Sequence, residues 1–324
     1  MANSDILELS NDGKTVIGVY DKSVKSITIP DGVTEIGKWA FEDCYSLQSI
    51  DIPNSVTCIG ESAFYGCSSL QSIDIPNSVT EIGNGAFKGC SSLQSIVIPD
   101  SVTKIGEAAF EGCSSLQSID IRNSVTEIGD WAFRGCCSLQ SIDVSNDNKH
   151  FASVNGVLFD KELTVILRFP PKNDVKEYVI PDGVTKIGER AFESCSSLQS
   201  IDIPDGVTKI GDSAFSGCSS LQSIDIPNSV TEIGNCAFSD SSSLRRIVIP
   251  NSVTLIGYWA FGGINSLEHI YLHCNDVEKL TLVGDIFQGV DFDKCILHVP
   301  SGTRWAYRHH DVFKRFKNIV TTGF

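Results

Sequence analysis

Apolar and polar positions follow one another in the same order every 23 residues along most of the chain. An Ala-Phe pair marks each period, and its phenylalanine lies at Phe41, Phe64, Phe87, Phe110, Phe133, Phe192, Phe215, Phe238 and Phe261. A fixed period of this length, with Leu and Ile at constant offsets, is typical of a solenoid whose units bury their apolar faces only against their neighbours. The pattern therefore predicts a stack of near-identical coils.

The first half of each unit predicts a short strand followed by a turn. In the unit LQSIDIPNSVTEIGNGAFKGC, Ile73 and Ile75 lie two residues apart and point to one face of a strand, while Ser72 and Asp74 point to the other. Pro76 ends the strand because it has no amide hydrogen with which to continue a sheet. The Asn-Ser pair that follows is typical of a turn.

The second half of each unit predicts a bend and a short turn. Gly83 stands where a bend would strain the backbone least. The segment GNGAFKGC is too short for a full helix, so we expect one helical or 3₁₀ turn that places Phe87 in the core. Each coil then returns to begin the next.

This pattern, LxxIxIPxxVTxIGxxAFxxC, resembles the BspA-like branch of the leucine-rich repeat family over roughly residues 25–272, with one interruption. The resemblance implies an α/β repeat fold: a curved leucine-rich-repeat solenoid with short parallel strands on the concave face and short helical or 3₁₀ turns on the convex face. It also implies a bacterial surface or secreted binding protein, often linked to adhesion to host or neighbouring cells.

We predict a single solenoid domain over residues 1–324. It begins with a hairpin cap at 1–23, where Asn11-Asp12-Gly13 separates two strand-like runs. A first repeat block (24–145), an inserted hairpin (146–178) and a second repeat block (179–274) follow. Residues 275–324 form a degenerate repeat, with Phe287 as the relic of its Ala-Phe pair, and a C-terminal cap.

The insert interrupts the period, since 59 residues instead of 23 separate Phe133 from Phe192. Its strand-like runs lie at 156–159 and 163–169, and we expect a loop to project near residues 146–150. The C-terminal end, HVPSGTRWAYRHHDVFKRFKNIV, predicts a helical cap with Ser301 or Thr303 as its N-cap, and it too resembles the BspA-like pattern. Its basic residues, expected to form a solvated surface, are Arg304, Arg308, Lys314, Arg315 and Lys317.

Charge and hydropathy narrow the range of partners and compartments. The net charge of −15 and the pI near 4.7 argue against a nucleic-acid partner, which needs a basic stripe. No apolar run reaches the ~20 residues of a membrane span. Residues 1–5 have neither a basic start nor an apolar stretch, so this chain shows no signal peptide. The chain is then either cytoplasmic or an exported protein whose signal was removed; the family resemblance favours the secreted or cell-surface alternative.

Cysteines hold one fixed place in successive units and predict a buried ladder of reduced thiols. The members are Cys44, Cys67, Cys90, Cys113, Cys136, Cys195 and Cys218. Side chains in register run parallel, so their Cβ vectors do not converge as a disulfide requires. The spacing also lacks the CxxC pattern of a metal site. We expect Cys137, next to Cys136, to face outward.

Two rows of side chains are expected on the concave strand face. The first row holds Ser26 and its equivalents one unit apart, and the second holds Thr28 and its equivalents. The second row carries an acidic strip formed by Asp51, Asp74, Asp120, Asp143, Asp202 and Asp225. One interpretation is a site for calcium, another cation or a basic ligand. The other is a set of solvated carboxylates bonded to serine and glutamine neighbours, where repulsion is on the order of 1 kcal/mol per pair.

Both rows lose their uniformity in the last third of the chain, which gives the best candidate for a partner-binding patch. The residues are Arg245, Arg246, Val248, Glu268, His269, Tyr271, His273 and His298. Positions 269, 271 and 273 alternate onto one face, and aromatic and arginine side chains are the usual anchors of interfaces. The alternative is ordinary sequence drift near a solenoid end. A metal site formed by the three histidines is less favoured, because no carboxylate is placed to orient the rings.

Motifs of enzymes are missing from the sequence. It has no phosphate-binding loop, HExxH, nucleophile elbow or dinucleotide fingerprint, so we expect no enzyme and no cofactor. Trp39, Trp131 and Trp259, each just before an Ala-Phe pair, are expected to lie partly exposed on the convex side. The leading hypothesis is a monomeric, adhesin-like module that binds a protein or glycan. The alternative is an intracellular scaffold or structural spacer without a single ligand.

Overall fold

The computed structural model describes residues 6–323. The segment 1–5, on which the absence of a signal peptide was judged, lies outside the described residues. The chain folds as two compact units, Met1–Lys161 and Glu162–Phe324. Each is a parallel-strand β-solenoid, as the repeat predicted. The single domain over 1–324 and its internal boundaries stay predictions.

One set of strands, here called A strands, is formed by the SIDI segments. Their apolar residues point inward and their Ser and Asp residues outward, because successive side chains of a strand alternate. In the first unit they are Ser26–Thr28, Ser49–Asp51, Ser72–Asp74, Ser95–Val97, Ser118–Ile121 and Ser141–Val144. In the second unit they are Glu177–Val179, Ser200–Asp202, Ser223–Asp225, Arg246–Ile249, His269–Leu272, Ile296–Pro300 and Asn318–Thr322.

A second set, the B strands, is formed by the segment around the recurring Ile-Gly. In the first unit they are Thr15–Val19, Glu35–Ile36, Cys58–Ile59, Glu81–Ile82, Lys104–Ile105 and Glu127–Ile128. In the second they are Val165–Arg168, Lys186–Ile187, Lys209–Ile210, Glu232–Ile233, Leu255–Ile256 and Thr281–Leu282. Within each unit they pair in parallel, one coil to the next.

Equivalent residues of successive coils are in register. Ile73 pairs with Ile96 across two A strands, and Ile82 pairs with Ile105 across two B strands. Ile73 is only 3% exposed, as the period-2 pattern predicted. The 23-residue period therefore brings identical side chains on top of one another inside each unit.

The segment around each Ala-Phe pair consists of successive turns and not of the helical or 3₁₀ turn expected from its length. Trp39 adopts a left-handed φ of 59°, and Asp43 one of 57°. The Trp39 amide donates to the Glu61 carbonyl of the next coil at 3.0 Å, and equivalent bonds recur along each unit. These bonds between coils offset the cost of a left-handed non-glycine residue. An isolated peptide has no such neighbour, so local length and propensity could not reveal this conformation.

The recurring Ile-Gly glycine has a different role from the one expected. Gly83 does not have a positive φ. A Cβ atom at Gly83 would instead lie 2.6 Å from the carbonyl carbon of Gly60 and 2.7 Å from its oxygen. Glycine is therefore required because successive backbones approach too closely for a side chain.

The core of each unit is a stack of phenylalanine rings. In the first unit the rings of Phe41 and Phe64 lie 5.1 Å apart between centroids, with an interplanar angle of 6°. In the second unit Phe261 stacks on Phe287 at 5.5 Å, so Phe287 continues the stack beyond the last Ala-Phe pair. The Ala-Phe phenylalanines that the sequence marked are buried, at most 4% exposed.

Cysteine thiols form a second inward line beside the rings. Cys67 Sγ donates to the Phe41 carbonyl at 3.1 Å, and Cys218 Sγ donates to the Phe192 carbonyl at the same distance. The twelve cysteines, all within the described residues, form no disulfide, and the seven ladder members are buried, as predicted. Cys137 is exposed.

The inserted segment differs from the prediction at one residue. Residues 146, 147, 149 and 150 of the predicted loop are exposed, but Asn148 is fully buried. Its Nδ2 donates to the carbonyls of Arg122 and Val125, and its Oδ1 accepts the amides of His150 and Phe151. Burial follows because all of its hydrogen-bonding capacity is used by backbone groups that would otherwise be unpaired. The segment is therefore fixed to the preceding coil.

Strands of the insert fall partly where they were expected. Val157–Asp160 pairs antiparallel with Phe151–Val154, a strand that the sequence analysis missed, through a turn at Asn155-Gly156. Asn-Gly is a strong hairpin signal and could have revealed it. In the second unit Phe169 stacks on Phe192 at 5.1 Å. The insert thus contains a coil whose Phe lacks the preceding alanine that marks the others.

The two ends carry the predicted types of cap. Leu7–Leu9 pairs antiparallel with Thr15–Val19 as the N-terminal hairpin. At the C-terminal end a helix spans Arg304–His309 and 3₁₀ turns span Val277–Lys279 and Phe313–Arg315. Thr303 is the helix N-cap, but its hydroxyl donates to the Pro300 carbonyl at 2.8 Å and makes no cap bond. The buried Tyr307 donates its hydroxyl to the Cys274 carbonyl, which anchors the cap.

Candidate functional site

The outward face of the A strands carries the two predicted rows. In the first row Ser49 Oγ donates to Ser26 Oγ at 3.1 Å. In the second, Asp120 lies directly opposite Asp143, as the register requires. Asp143 accepts a 2.9 Å hydrogen bond from Ser141. Carboxylates and hydroxyls therefore alternate across this face.

The predicted acidic strip is divided between the two units and interrupted by exposed valines. Asp51, Asp74, Asp120 and Asp143 lie in the first unit, where Val97 pairs with Asp74 and is 57% exposed. Asp202 and Asp225 lie in the second, and Val179, 68% exposed, pairs with Asp202. Among residues 6–323, no three His, Cys, Asp or Glu side chains are grouped to hold a metal ion. Cation binding by the strip stays a prediction.

In the second unit, other residues replace Ser in the first row and Asp in the second. In the first row, Arg246 pairs with His269, which pairs with Ile296. In the second, Val248 pairs with Tyr271, which pairs with His298. We call the residues Arg246, His269, Tyr271, His273 and His298 the histidine patch. Its members come from three adjacent A strands and the residue following one of them.

Tyr271 is the centre of the histidine patch. Its ring stacks on His298, with centroids 4.1 Å apart and an interplanar angle of 11°. The guanidinium carbon of Arg246 lies 5.1 Å from the Tyr271 ring centroid. The same guanidinium forms an ion pair with Asp225, one coil earlier. Stacking and the ion pair hold Arg246 and Tyr271 in fixed positions, which lowers the entropy cost of ordering them when a partner binds.

Two imidazoles of the histidine patch contact each other directly. His269 Nδ1 lies 3.0 Å from His298 Nε2. One nitrogen must donate and the other accept, so at least one of the two rings is neutral. The other ring nitrogen of His298, Nδ1, lies 3.4 Å from Thr322 Oγ1.

Burial and neighbouring charge disfavour protonation of His298 and His273. Burial lowers the pKa of His298, and the adjacent His269 lowers it further. Burial also lowers the pKa of His273, with a smaller contribution from the positive charge of Arg246. Both imidazoles therefore titrate below the ordinary histidine value near 6.5.

The remaining predicted residues flank the histidine patch. Arg245 and Glu268 precede two adjacent A strands and form an exposed 3.4 Å ion pair. Val248 lies in the same row as Tyr271. A polar pocket of about 250 Å³ adjoins the patch and is lined by His273, Asn275, Pro300, Ser301, Thr322 and Gly323. All eight predicted residues belong to the second unit, five on adjacent A strands and three beside them.

Sequence reasoning missed the partners that complete this region. Asp225 was assigned to the acidic strip, yet it forms an ion pair with Arg246. Thr322 and the pocket residues Asn275 and Ser301 were not singled out. The sequence gives little indication of these residues, because their place beside the patch depends on the final strand, Asn318–Thr322, pairing in parallel with Ile296–Pro300. That strand lies beyond the recognisable repeat.

The three tryptophans that precede Ala-Phe pairs differ in exposure. Trp39 is 51% exposed and Trp131 is 42% exposed, while Trp259 is half-buried. Each lies in the turn segment before an Ala-Phe pair.

No helix among the described residues is long and apolar enough to cross a membrane.

The stacked parallel strands and the 23-residue unit define a leucine-rich-repeat solenoid. The family model for the BspA type leucine rich repeat region matches residues 19–140, 80–159 and 169–287. The chain belongs to this family. A search of the curated proteins found no match.

Solved structures of bacterial proteins resemble the chain. A leucine rich cell surface protein from Faecalibacterium prausnitzii A2-165 is 32% identical, with 80% of this chain and 82% of that chain covered and a TM-score of 0.64. The pneumococcal vaccine antigen PcpA is 24% identical, covering 98% and 82%, with a TM-score of 0.74. A leucine-rich repeat protein from Eubacterium ventriosum is 24% identical, covering 84% and 79%, with a TM-score of 0.66. The last two comparisons bear on the fold alone.

Proposed function

We propose that this protein is a non-catalytic, adhesin-like binding module of the bacterial cell surface or secreted fraction, which holds a protein or glycan partner on the histidine patch. Leucine-rich repeat proteins of this family are generally non-catalytic and bind protein partners. The similarity to a bacterial cell surface protein supports the compartment.

The observation that carries this proposal is the break in both rows at the same coils. Most A strands before Arg246 carry Ser in the first row and Asp in the second, with Thr28, Val97, Glu177 and Val179 as the exceptions. The histidine patch instead carries Arg246, His269 and Tyr271 on adjacent strands. Their rings and guanidinium are already ordered by stacking. Arg and Tyr contribute disproportionately to binding energy at interfaces because they combine large apolar area with polar groups.

The alternative function is an intracellular scaffold or spacer without a single ligand. The rows of the first unit, which are Ser and Asp except at Thr28 and Val97, are compatible with it. Sequencing the gene upstream of Met1 discriminates the two, because an export signal supports the surface protein and a cytoplasmic start supports the scaffold.

A pull-down with the intact chain tests the proposal against host matrix glycoproteins and bacterial lysates. The variant combines Arg246→Ala, His269→Ala and Tyr271→Ala. The matched control, Ser72→Ala with Asp74→Ala, changes the same two rows in the first unit. We expect one partner to be retained by the wild type and the control and lost by the patch variant. Equal capture of the partner by all three proteins would show that the histidine patch does not bind it.

A further inference from the structure

We propose that the ligand of the histidine patch is an acidic glycan, and that it binds more tightly as the pH falls and the patch takes up protons. This inference rests on the function proposed above for the same patch. It adds the chemical class of the ligand and the condition under which it binds.

At neutral pH the fixed charges of the region nearly cancel. Arg246 is paired with Asp225, and Arg245 is paired with Glu268. The His269–His298 contact requires at least one neutral ring. An anion approaching this surface at neutral pH therefore meets two cations whose charges are already balanced.

Lowering the pH makes the net charge of the histidine patch more positive. When both rings are protonated, neither nitrogen can accept, so the His269–His298 hydrogen bond is lost and two positive charges face each other at about contact distance. Protonation of His273 adds a third positive charge on the same side of the strand. An anion placed among these rings offsets their repulsion and restores a hydrogen-bond partner to each.

The charges that face the pair from neighbouring elements do not reverse this trend. Asp225 is the carboxylate on the A strand before Arg246, and that guanidinium already engages it. The final A strand contributes the uncharged Asn318, Val320 and Thr322 toward the pair's rows. The cap helix packs against the last two A strands and carries the exposed cations Arg304 and Arg308. Added protons thus raise a surface potential that has little remaining negative charge to oppose it.

The adjoining pocket indicates a saccharide in preference to an acidic peptide. Its lining offers an imidazole, an amide and two hydroxyls, from His273, Asn275, Ser301 and Thr322, with Pro300 as its apolar side chain. Hydroxyl-rich ligands are recognised by closely spaced donors and acceptors of this kind, whereas peptide anchors require deeper apolar pockets. Thr322 also contacts His298, so the pocket and the imidazole pair are continuous.

Linkage fixes the sign of the pH effect. A carboxylate ligand stabilises the protonated rings and so binds together with protons. Each proton taken up on binding strengthens binding by up to about tenfold for each unit that the pH falls, between the range in which the ligand-bound rings titrate and the lower range in which the free rings titrate. A ligand carboxylate of ordinary pKa, near 4, stays ionised through this range.

The test measures binding of a galacturonate oligosaccharide to the full chain by calorimetry at about pH 5.5 and about pH 7.5. The methyl-esterified oligosaccharide is the neutral control, and a glutamate peptide of similar charge is the competing ligand. We expect the galacturonate to bind at least about tenfold more tightly at the lower pH. The ester should show no such change, and the peptide should bind more weakly.

The variant His269→Gln with His298→Gln should lose most of the pH dependence, while His309→Gln, an exposed histidine on the cap helix, should retain it. Thermal unfolding at both pH values verifies that each variant is folded. Binding that is independent of pH, or equally pH-dependent in the double variant, would overturn the inference. So would stronger binding of the peptide. If the pull-down partner is still lost on patch mutation, the proposed function survives either result.

Discussion

The hydroxyl of Ser241 donates to the backbone carbonyl of Phe215 at 2.8 Å, in the position where earlier coils place a cysteine thiol. Both residues are buried. The corresponding thiol of Cys218 donates to Phe192 at 3.1 Å. The cysteine ladder therefore supplies small side chains with a donor directed at a carbonyl, and serine meets the same requirement.

This equivalence predicts the effect of changing Cys218. Cys218→Ser keeps the donor and should cost less than about 1 kcal/mol of unfolding free energy, whereas Cys218→Ala leaves the Phe192 carbonyl without it and should cost about 1–2 kcal/mol. Urea unfolding measures both. Cys137→Ala, at an exposed position, is the control and should change stability by less than about 0.5 kcal/mol. Equal losses for the Ser and Ala variants would show that the hydrogen bond contributes nothing.

The thiols should differ in reactivity according to their burial. Burial raises the pKa of Cys195 and of Cys295 to about 12, so these groups stay protonated and unreactive at pH 8. We expect Cys137 to react first with an aromatic disulfide reagent, followed by the half-buried Cys58 and Cys236. The other thiols should react only after unfolding. Mass spectrometry of the labelled peptides identifies each site, and early labelling of Cys195 would contradict the buried ladder.

Gly83→Ala should destabilise the first unit through close backbone contact. The added Cβ would meet the Gly60 carbonyl at 2.6–2.7 Å, which forces the two coils apart. We expect a loss of about 1–3 kcal/mol in unfolding free energy. Gly323→Ala, where nothing lies within 4 Å, is the matched control and should be nearly neutral. A neutral Gly83→Ala variant would mean that successive coils are not as close as the structure has them.

Stability should fall as the histidine patch is acidified. The pKa of His298 is lowered in the folded protein, so the unfolded chain binds more protons in the range just below pH 6.5. Its contribution to stability is therefore present above that range and decreases as the pH falls. His298→Gln removes this contribution, so its melting temperature should decline less than that of the wild type between pH 7 and pH 5. An identical decline in melting temperature in both proteins would exclude His298 as a source of the pH dependence of stability.

Much of the fold followed from periodicity, since a repeat of identical length forces identical residues into register. The pairing of Ile73 with Ile96 and the burial of Phe87 needed no further information. Left-handed turn residues such as Trp39 could not be predicted, because the bonds that hold them come from the next coil. The coil containing Phe169 was missed because its sequence, Leu-Arg-Phe-Pro, lacks the alanine and glycine of the others.

The candidate site was predictable in membership but not in detail. Loss of the Ser and Asp pattern identified Arg246, His269 and Tyr271. The contact between His269 and His298, 29 positions apart, depends on how the intervening chain, which includes an irregular coil, returns to the sheet. No local pattern encodes that path.

The most direct test of the account restores the missing repeat. Arg246→Ser and His269→Ser reinstate the first row, and Val248→Asp and Tyr271→Asp reinstate the second, within the same coils. Calorimetric unfolding checks that the restored protein is folded, and surface plasmon resonance measures binding to the partner isolated with the wild type. We predict that binding falls at least about a hundredfold, the loss of two interfacial anchors. Unchanged affinity in a folded, fully restored solenoid would contradict the claim that the binding surface lies where the two rows end.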